Sequence, residues 1–185
     1  MPAFAQEQPY TIDDIYALPD GEHAELIDGQ IFYMAPPNRL HQEISFALSR
    51  KIADYIDEKH GSCSCKVYVA PFAVFLNADD RTYVEPDISV ICDKDKLTEN
   101  GCSGAPDWII EIISPSNPER DYIQKLSLYK AACVREYWIV DPQENRVVVY
   151  NLEQDRFQMK AYTFQDQIRS NIFSGLCIDF TSFHL

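Results

Sequence analysis

The stretch APDWIIEIISPS, residues 105–116, reads as a strand bound for the protein interior, yet it carries two acids, Asp107 and Glu111. Ile109, Ile110, Ile112 and Ile113 surround Glu111, so whichever face its carboxylate points to lies beside apolar neighbours. Such a group has to be paired, hydrogen-bonded, protonated or bound to a metal. Asp107 shares its side of the strand by parity, but four residues at ~3.3 Å each put the two acids about 13 Å apart. Oxygen ligands lie only ~2.0 to 2.6 Å from a divalent cation, so these two do not share one. Asp107 reads as a strand-entry residue after Pro106, with a surface role.

A better partner stands 24 residues earlier, where Asp87 in VEPDISVI also follows a proline and opens an apolar strand. Adjacent strands are ~4.8 Å apart, so Asp87 and Glu111 converge on one cation if their strands are neighbours. The intervening CDKDKLTENGCSG (92–104) then reads as a surface loop. Oxygen-only ligation of this kind suits Mg²⁺ or Mn²⁺, which generate hydroxide and stabilise a phosphoryl-transfer transition state.

The rest of the chain describes a mixed α/β arrangement (α+β or α/β). Thr11 and Asp14 open a short helix that Pro19 and Gly21 close, over about 11–18. HAELIDGQIFYM reads as a hairpin turning at Asp28-Gly29, between 24–27 and 30–34. Ile44, Ala47, Leu48, Ile52, Tyr55 and Ile56 form one helical stripe over about 41–59. Strand-like runs follow at 66–76, 88–92 and 107–113, then a helix at 118–132 and a strand at 136–141. RVVVYNLEQDRFQMKAYTF reads as a further hairpin, and Leu176 to Phe180 as a last short strand. No internal repeat or linker interrupts this order, so residues 1–185 are expected to form one domain with a mixed sheet and two main helices.

Six segments, in this order, resemble the Uma-type family of restriction endonucleases, long listed as a domain of unknown function. They are AELIDG (24–29), PPNRLH (36–41), EPD (85–87), APDWIIEIISPS (105–116), DYIQKLSLY (121–129) and REYWIVDP (135–142). The resemblance covers about Tyr10 to Tyr150 and extends to the PD-(D/E)XK superfamily of metal-dependent nucleases. It implies a restriction-endonuclease-like fold, a mixed sheet flanked by two main helices with a C-terminal hairpin extension. It further implies Mg²⁺ or Mn²⁺ as cofactor, DNA as substrate and a homodimer that addresses two strands. Asp87 and Glu111 match the metal ligands.

The superfamily places a lysine two residues after the glutamate, but Ile113 stands there in this chain. The resemblance implies that the lysine comes instead from the following helix, as Lys125. From Glu111 the chain rises through about five strand residues, at most ~16 Å, and the helix then descends by about 10 Å. The remaining offset of about 6 Å matches the reach of a lysine side chain if the helix packs back on its strand. Lys125 is also the only charge on the apolar stripe Tyr122, Lys125, Leu126, Tyr129 and Ala132. Glu25 matches the acid before the family's turn, as a further metal or water contact, and His41 matches its PP…H position.

Each residue taken singly has a plainer reading. Asp87 caps backbone amides after Pro86, Glu111 and Lys125 form a salt bridge, or Lys125 snorkels from a helix. Glu25 beside a turn is solvated, His41 lies on the surface at a helix start, and Tyr129 and Trp138 are core aromatics. Only the coincidence of Asp87, Glu111 and Lys125 favours a catalytic site. The rival functions are a catalytically inactive module that keeps the fold to bind DNA or a partner, and a carboxylate-pair glycoside hydrolase. The second accounts for neither Lys125 nor the two proline-aspartate positions.

Composition limits the remaining classes. The 185 residues carry 16 basic and 29 acidic side chains, a net charge of −13, so the overall field repels phosphates. Mean hydropathy is −0.28, and no stretch reaches transmembrane length. The start MPAFAQEQPY carries no basic segment before an apolar run, so a cytoplasmic location is expected, with no membrane association. The six cysteines lack a CxxC pair, and Cys92 and Cys133 lie in apolar segments, so reduced, core-packed thiols are expected. The four histidines form no cluster with cysteine, which argues against structural zinc.

Overall fold

The computed structural model describes residues 9–59, 64–114, 120–153 and 155–183. Asp14 accepts a hydrogen bond from the Thr11 backbone at 2.7 Å, the carboxylate half of the expected capping box, and starts helix α1 (Ile12–Tyr16). Strands β1 (Ala24–Ile27) and β2 (Gln30–Tyr33) form the hairpin. Their turn residues Asp28 and Gly29 have φ of 51° and 78°, as a two-residue turn demands. A Cβ at Gly29 would also lie 2.6 Å from that of Pro9, so glycine is required twice over.

Helix α2 (Arg39–Glu58) begins where the Asn38 side chain accepts from the His41 backbone at 2.9 Å, and it buries Ile44, Leu48, Ile52 and Ile56 along its predicted stripe. Next come β3 (Lys66–Val69), β4 (Val74–Phe75), β5 (Ile88–Ile91), β6 (Leu97–Thr98), β7 (Gly101–Ser103) and β8 (Trp108–Ile112). A π-helical turn, Arg120–Lys125, runs into α3 (Leu126–Ala131). The chain then forms β9 (Glu136–Asp141), β10 (Arg146–Asn151), β11 (Gln158–Thr163), β12 (Gln167–Arg169) and β13 (Cys177–Asp179).

The central sheet has the order β11-β10-β9-β8-β5-β3. β8 and β9 pair in parallel through the crossover that contains α3, while the other neighbours are antiparallel. β8 is buried on both faces, which is why its sequence is a nearly unbroken apolar run. Trp108, Ile110 and Ile112 pack on the α2 side. Ile109 and Ile113 pack on the other, with Tyr129 of α3. Strand parity therefore places Glu111 on the α3 face.

Several expectations are corrected. The segment 92–104 is not a plain surface loop: it holds β6 and β7, Cys102 is fully buried, and β7 pairs in parallel with β4. A side chain at Gly101 would clash with the carbonyl of Ala73, so the close approach of these two segments depends on glycine there. The run 66–76 divides into β3 and β4 around a cis Ala70-Pro71 bond, and the halves join different sheets. β12 was not anticipated. The predicted start of the second long helix, at 118–119, lies outside the described residues.

The expectation of reduced cysteines fails for one pair. Cys65 and Cys92 form a disulfide with their Cα atoms 3.7 Å apart. The cause is register: Lys66 lies opposite Ile91, so the next pair outward is Cys65 and Cys92. Nor does Cys133 sit in the core; it is exposed, at a φ of 67° past the end of α3.

Candidate active site

The β5–β8 register sets Ile88 opposite Ile110, and one step further it sets Asp87 opposite Glu111. The two acids expected to converge are thus direct cross-strand neighbours, about 4.5 to 5.5 Å apart at Cβ. Asp87 Oδ2 accepts from the Ile112 backbone at 2.7 Å and contacts His41 Nε2 at 3.1 Å. His41 is buried in the first turn of α2 and does not lie on the surface. Burial would lower its pKa, but the Asp87 carboxylate outweighs burial and holds the imidazole above the ordinary 6.5.

Lys125 closes the π-helical turn and is buried. Its Nζ donates to Glu111 Oε1 at 2.8 Å and to Glu25 Oε1 at 2.9 Å, with Asp121 Oδ1 at 3.6 Å. Burial opposes its charge, but the three carboxylates override burial and hold it well above the usual lysine range. Ile113, where the superfamily lysine would stand, is buried in the core on the α3 face.

Glu111 is fully enclosed. Burial raises its pKa, Lys125 pulls it down, and Asp87, Asp121 and Glu25 push it up again, leaving it at about 8. Tyr129 also donates to Glu111 Oε1, at 2.6 Å, and its own hydroxyl is held well above 10 by burial and by that carboxylate. Glu25 arrives through β1, which bridges to Tyr83. Its Oε1 accepts from the Glu85 backbone at 3.2 Å, and Arg120 lies 4.0 Å from its other oxygen. Asp107 stays outside this group, accepting from Cys92 N at 2.8 Å and pairing with Arg135 at 3.1 Å.

The structure therefore brings Glu25, Asp87, Glu111, Lys125 and His41 into one cleft of about 600 Å³. Sequence reasoning passed over Asp121 and the Tyr129 hydroxyl as members of the group. A signal existed: residues 121, 125 and 129 are spaced four apart, which aligns them on one helix face. Among the described residues, no group of three or more His, Cys, Asp or Glu side chains is placed to hold a metal ion.

The family model described as "Putative restriction endonuclease" matches residues 12–181. The chain belongs to this family, Uma2. Two uncharacterized proteins of Synechocystis sp. are similar to this Uma2 chain. One is 28% identical over 138 residues, 73% of this chain and 75% of its own length. The other is 25% identical over 135 residues, 72% and 68%. A crystal structure from Anabaena variabilis, described as "a putative nuclease belonging to DUF820", aligns with a TM-score of 0.74 at 22% identity. The alignment covers 95% of this chain and 97% of that one. That likeness shows that the two chains share one mixed α+β fold.

Proposed function

We propose that this Uma2 chain is a Mg²⁺- or Mn²⁺-dependent endonuclease that hydrolyses DNA phosphodiester bonds. The observation that carries the reading is Lys125 Nζ, within 2.9 Å of Glu25 and 2.8 Å of Glu111, beside a cross-strand Asp87. Three carboxylates, Glu25, Glu111 and Asp121, surround one ammonium, with Asp87 across the strands from Glu111, a donor set rich in hard oxygen. Mg²⁺ is commonly held by one or two carboxylates with waters and substrate phosphates completing the shell, so a group of three protein ligands is not needed. Asp87 and Glu111 would hold the ion, with Glu25 assisting.

When bound, a divalent cation lowers the pKa of an attacking water and offsets charge building on the phosphoryl oxygens. Lys125, kept charged by its carboxylates, orients that water towards phosphorus. The water oxygen bonds to phosphorus as the water gives up a proton to solvent, the bond to the leaving oxygen breaks, and the leaving alkoxide takes a proton from solvent. His41 and Ile112 N hold the Asp87 carboxylate in place. The Arg120 guanidinium, which lines the cleft and is 18% exposed, is a contact for a substrate phosphate.

A homodimer and a cytoplasmic location belong to the same reading. The second requires the Cys65–Cys92 pair to be reduced in the cell, since disulfides rarely persist there. The test is plasmid nicking in Mg²⁺ or Mn²⁺. Asp87→Ala, Glu111→Ala and Lys125→Ala, each checked for folding by circular dichroism, are expected to lose about 100-fold or more. Retained cleavage in Asp87→Ala overturns the assignment. Calorimetry showing no Mn²⁺ binding that depends on Asp87 points instead to an inactive module.

A further inference from the structure

The walls of the cleft differ from its floor. Glu22, Glu25, Glu85, Asp87, Glu111 and Asp121 line it against two cations, Arg120 and Lys125. Lys125 is committed to Glu111 and Glu25, so among the described lining residues Arg120 is the lysine or arginine left for substrate phosphates. Duplex DNA presents a phosphate charge every ~1.7 Å of axis, and proteins that hold it rely on many Lys and Arg contacts. Among its described lining residues this cleft lacks them, and the chain as a whole carries −13. Binding energy has to come from elsewhere.

The rim supplies a source. Phe46 of α2 and Tyr33 at the end of β2 line the cleft while remaining 67% and 62% exposed. The Arg50 guanidinium lies 5.9 Å from the Phe46 ring centroid, a flat cation beside a flat ring. Gln42, Ser45 and Ser49 share the Phe46 face of α2 towards the cleft, uncharged groups suited to base edges. Met34 and Val69 add apolar wall. Aromatic faces bind bases of any sequence, but only bases already freed from a duplex stack.

We infer that the cleft takes an unpaired nucleic-acid strand, whose bases stack on Phe46 and Tyr33 while one phosphate reaches the carboxylate floor, in preference to paired duplex. The inference rests on the nuclease reading above for the chemistry at the floor.

The test measures binding by fluorescence anisotropy in Ca²⁺, with a labelled oligothymidylate of about 12 nucleotides and a duplex of equal length. The single strand is expected to bind the full chain at least about 10-fold more tightly than the duplex, and Phe46→Ala or Tyr33→Ala to weaken it by about 10-fold. Neither variant should change Mn²⁺ affinity. Equal affinity for duplex, or an unchanged single-strand Kd in both variants, overturns the inference. So does a Phe46→Ala variant that loses self-association on sedimentation while keeping its oligonucleotide affinity, since a second copy would then cover the rim. Rim-dependent binding without cleavage in Mg²⁺ supports the inference and sinks the nuclease reading, whereas duplex cleaved as fast as single strand sinks the inference alone.

Discussion

Glu111 shows why a carboxylate stands in an otherwise apolar strand. Lys125 and Tyr129 satisfy it on the α3 face, yet burial, with the surrounding acids adding to it, leaves its pKa near 8. The folded state therefore keeps a proton that the unfolded chain releases above about 4.5. The stability this contributes is complete below that value and is lost as pH rises through about 8. Thermal melts are expected to show Tm falling between pH 5 and 9, a fall that Glu111→Gln reduces and that Asp121 and Glu136, also raised by burial, maintain in part. A pH-independent difference between wild type and Glu111→Gln would refute this. That Glu111 needs a partner was legible from its neighbours; that Tyr129 is one of those partners was not, because an aromatic on an apolar stripe looks like core filling.

Among the elements, the π-helical turn Arg120–Lys125 sets the site. A π turn shifts helix phase relative to a regular α-helix, and such turns recur at functional positions. The predicted stripe survives the shift, with Tyr122 and Leu126 packed against the core and Lys125 among them. At the other end of the sheet, Glu136 of β9 ties down the C-terminal segment. Trp138 Nε1, the Ser170 hydroxyl, and the backbone of Asn171 and Ile172 donate to it at 2.7 to 3.1 Å. An amide there turns one acceptor into a donor facing donors. Glu136→Gln is expected to cost about 1 to 3 kcal/mol in urea unfolding and to speed amide exchange over residues 170–173. Unchanged exchange in that segment would count against the anchoring role. The segment 92–104 shows the opposite kind of misreading: its charges and glycines look like a loop, and its pairing with β4 depends on a partner 28 residues back.

For the molecule as a whole, the Cys65–Cys92 bond closes a loop across 27 residues between strands that already pair. Cross-links of this span stabilise by about 2 to 4 kcal/mol, mainly by restricting the unfolded chain. A reductant is expected to lower Tm by several degrees, roughly 2 to 4 °C per kcal/mol, without altering the circular dichroism of the native state. An unchanged Tm would mean that the bond contributes nothing. Among the described residues no helix is long and apolar enough to cross a membrane.

Hairpin turn, helix phase and strand parity could be read from the chain because each is set by neighbours a few residues apart, through φ preferences and the periods of 3.6 and 2. The approach of Lys125 to Glu111, 14 residues away, could be read from strand and helix rise, but its meeting with Glu25, 100 residues away, follows from no such local rule. Nor do the His41–Asp87 contact or the Cys65–Cys92 bond. Those contacts depend on how α2, α3 and the β1–β2 hairpin pack against the sheet and on the β3–β5 and β5–β8 registers, and a one-residue slip there would turn every side chain to the opposite face.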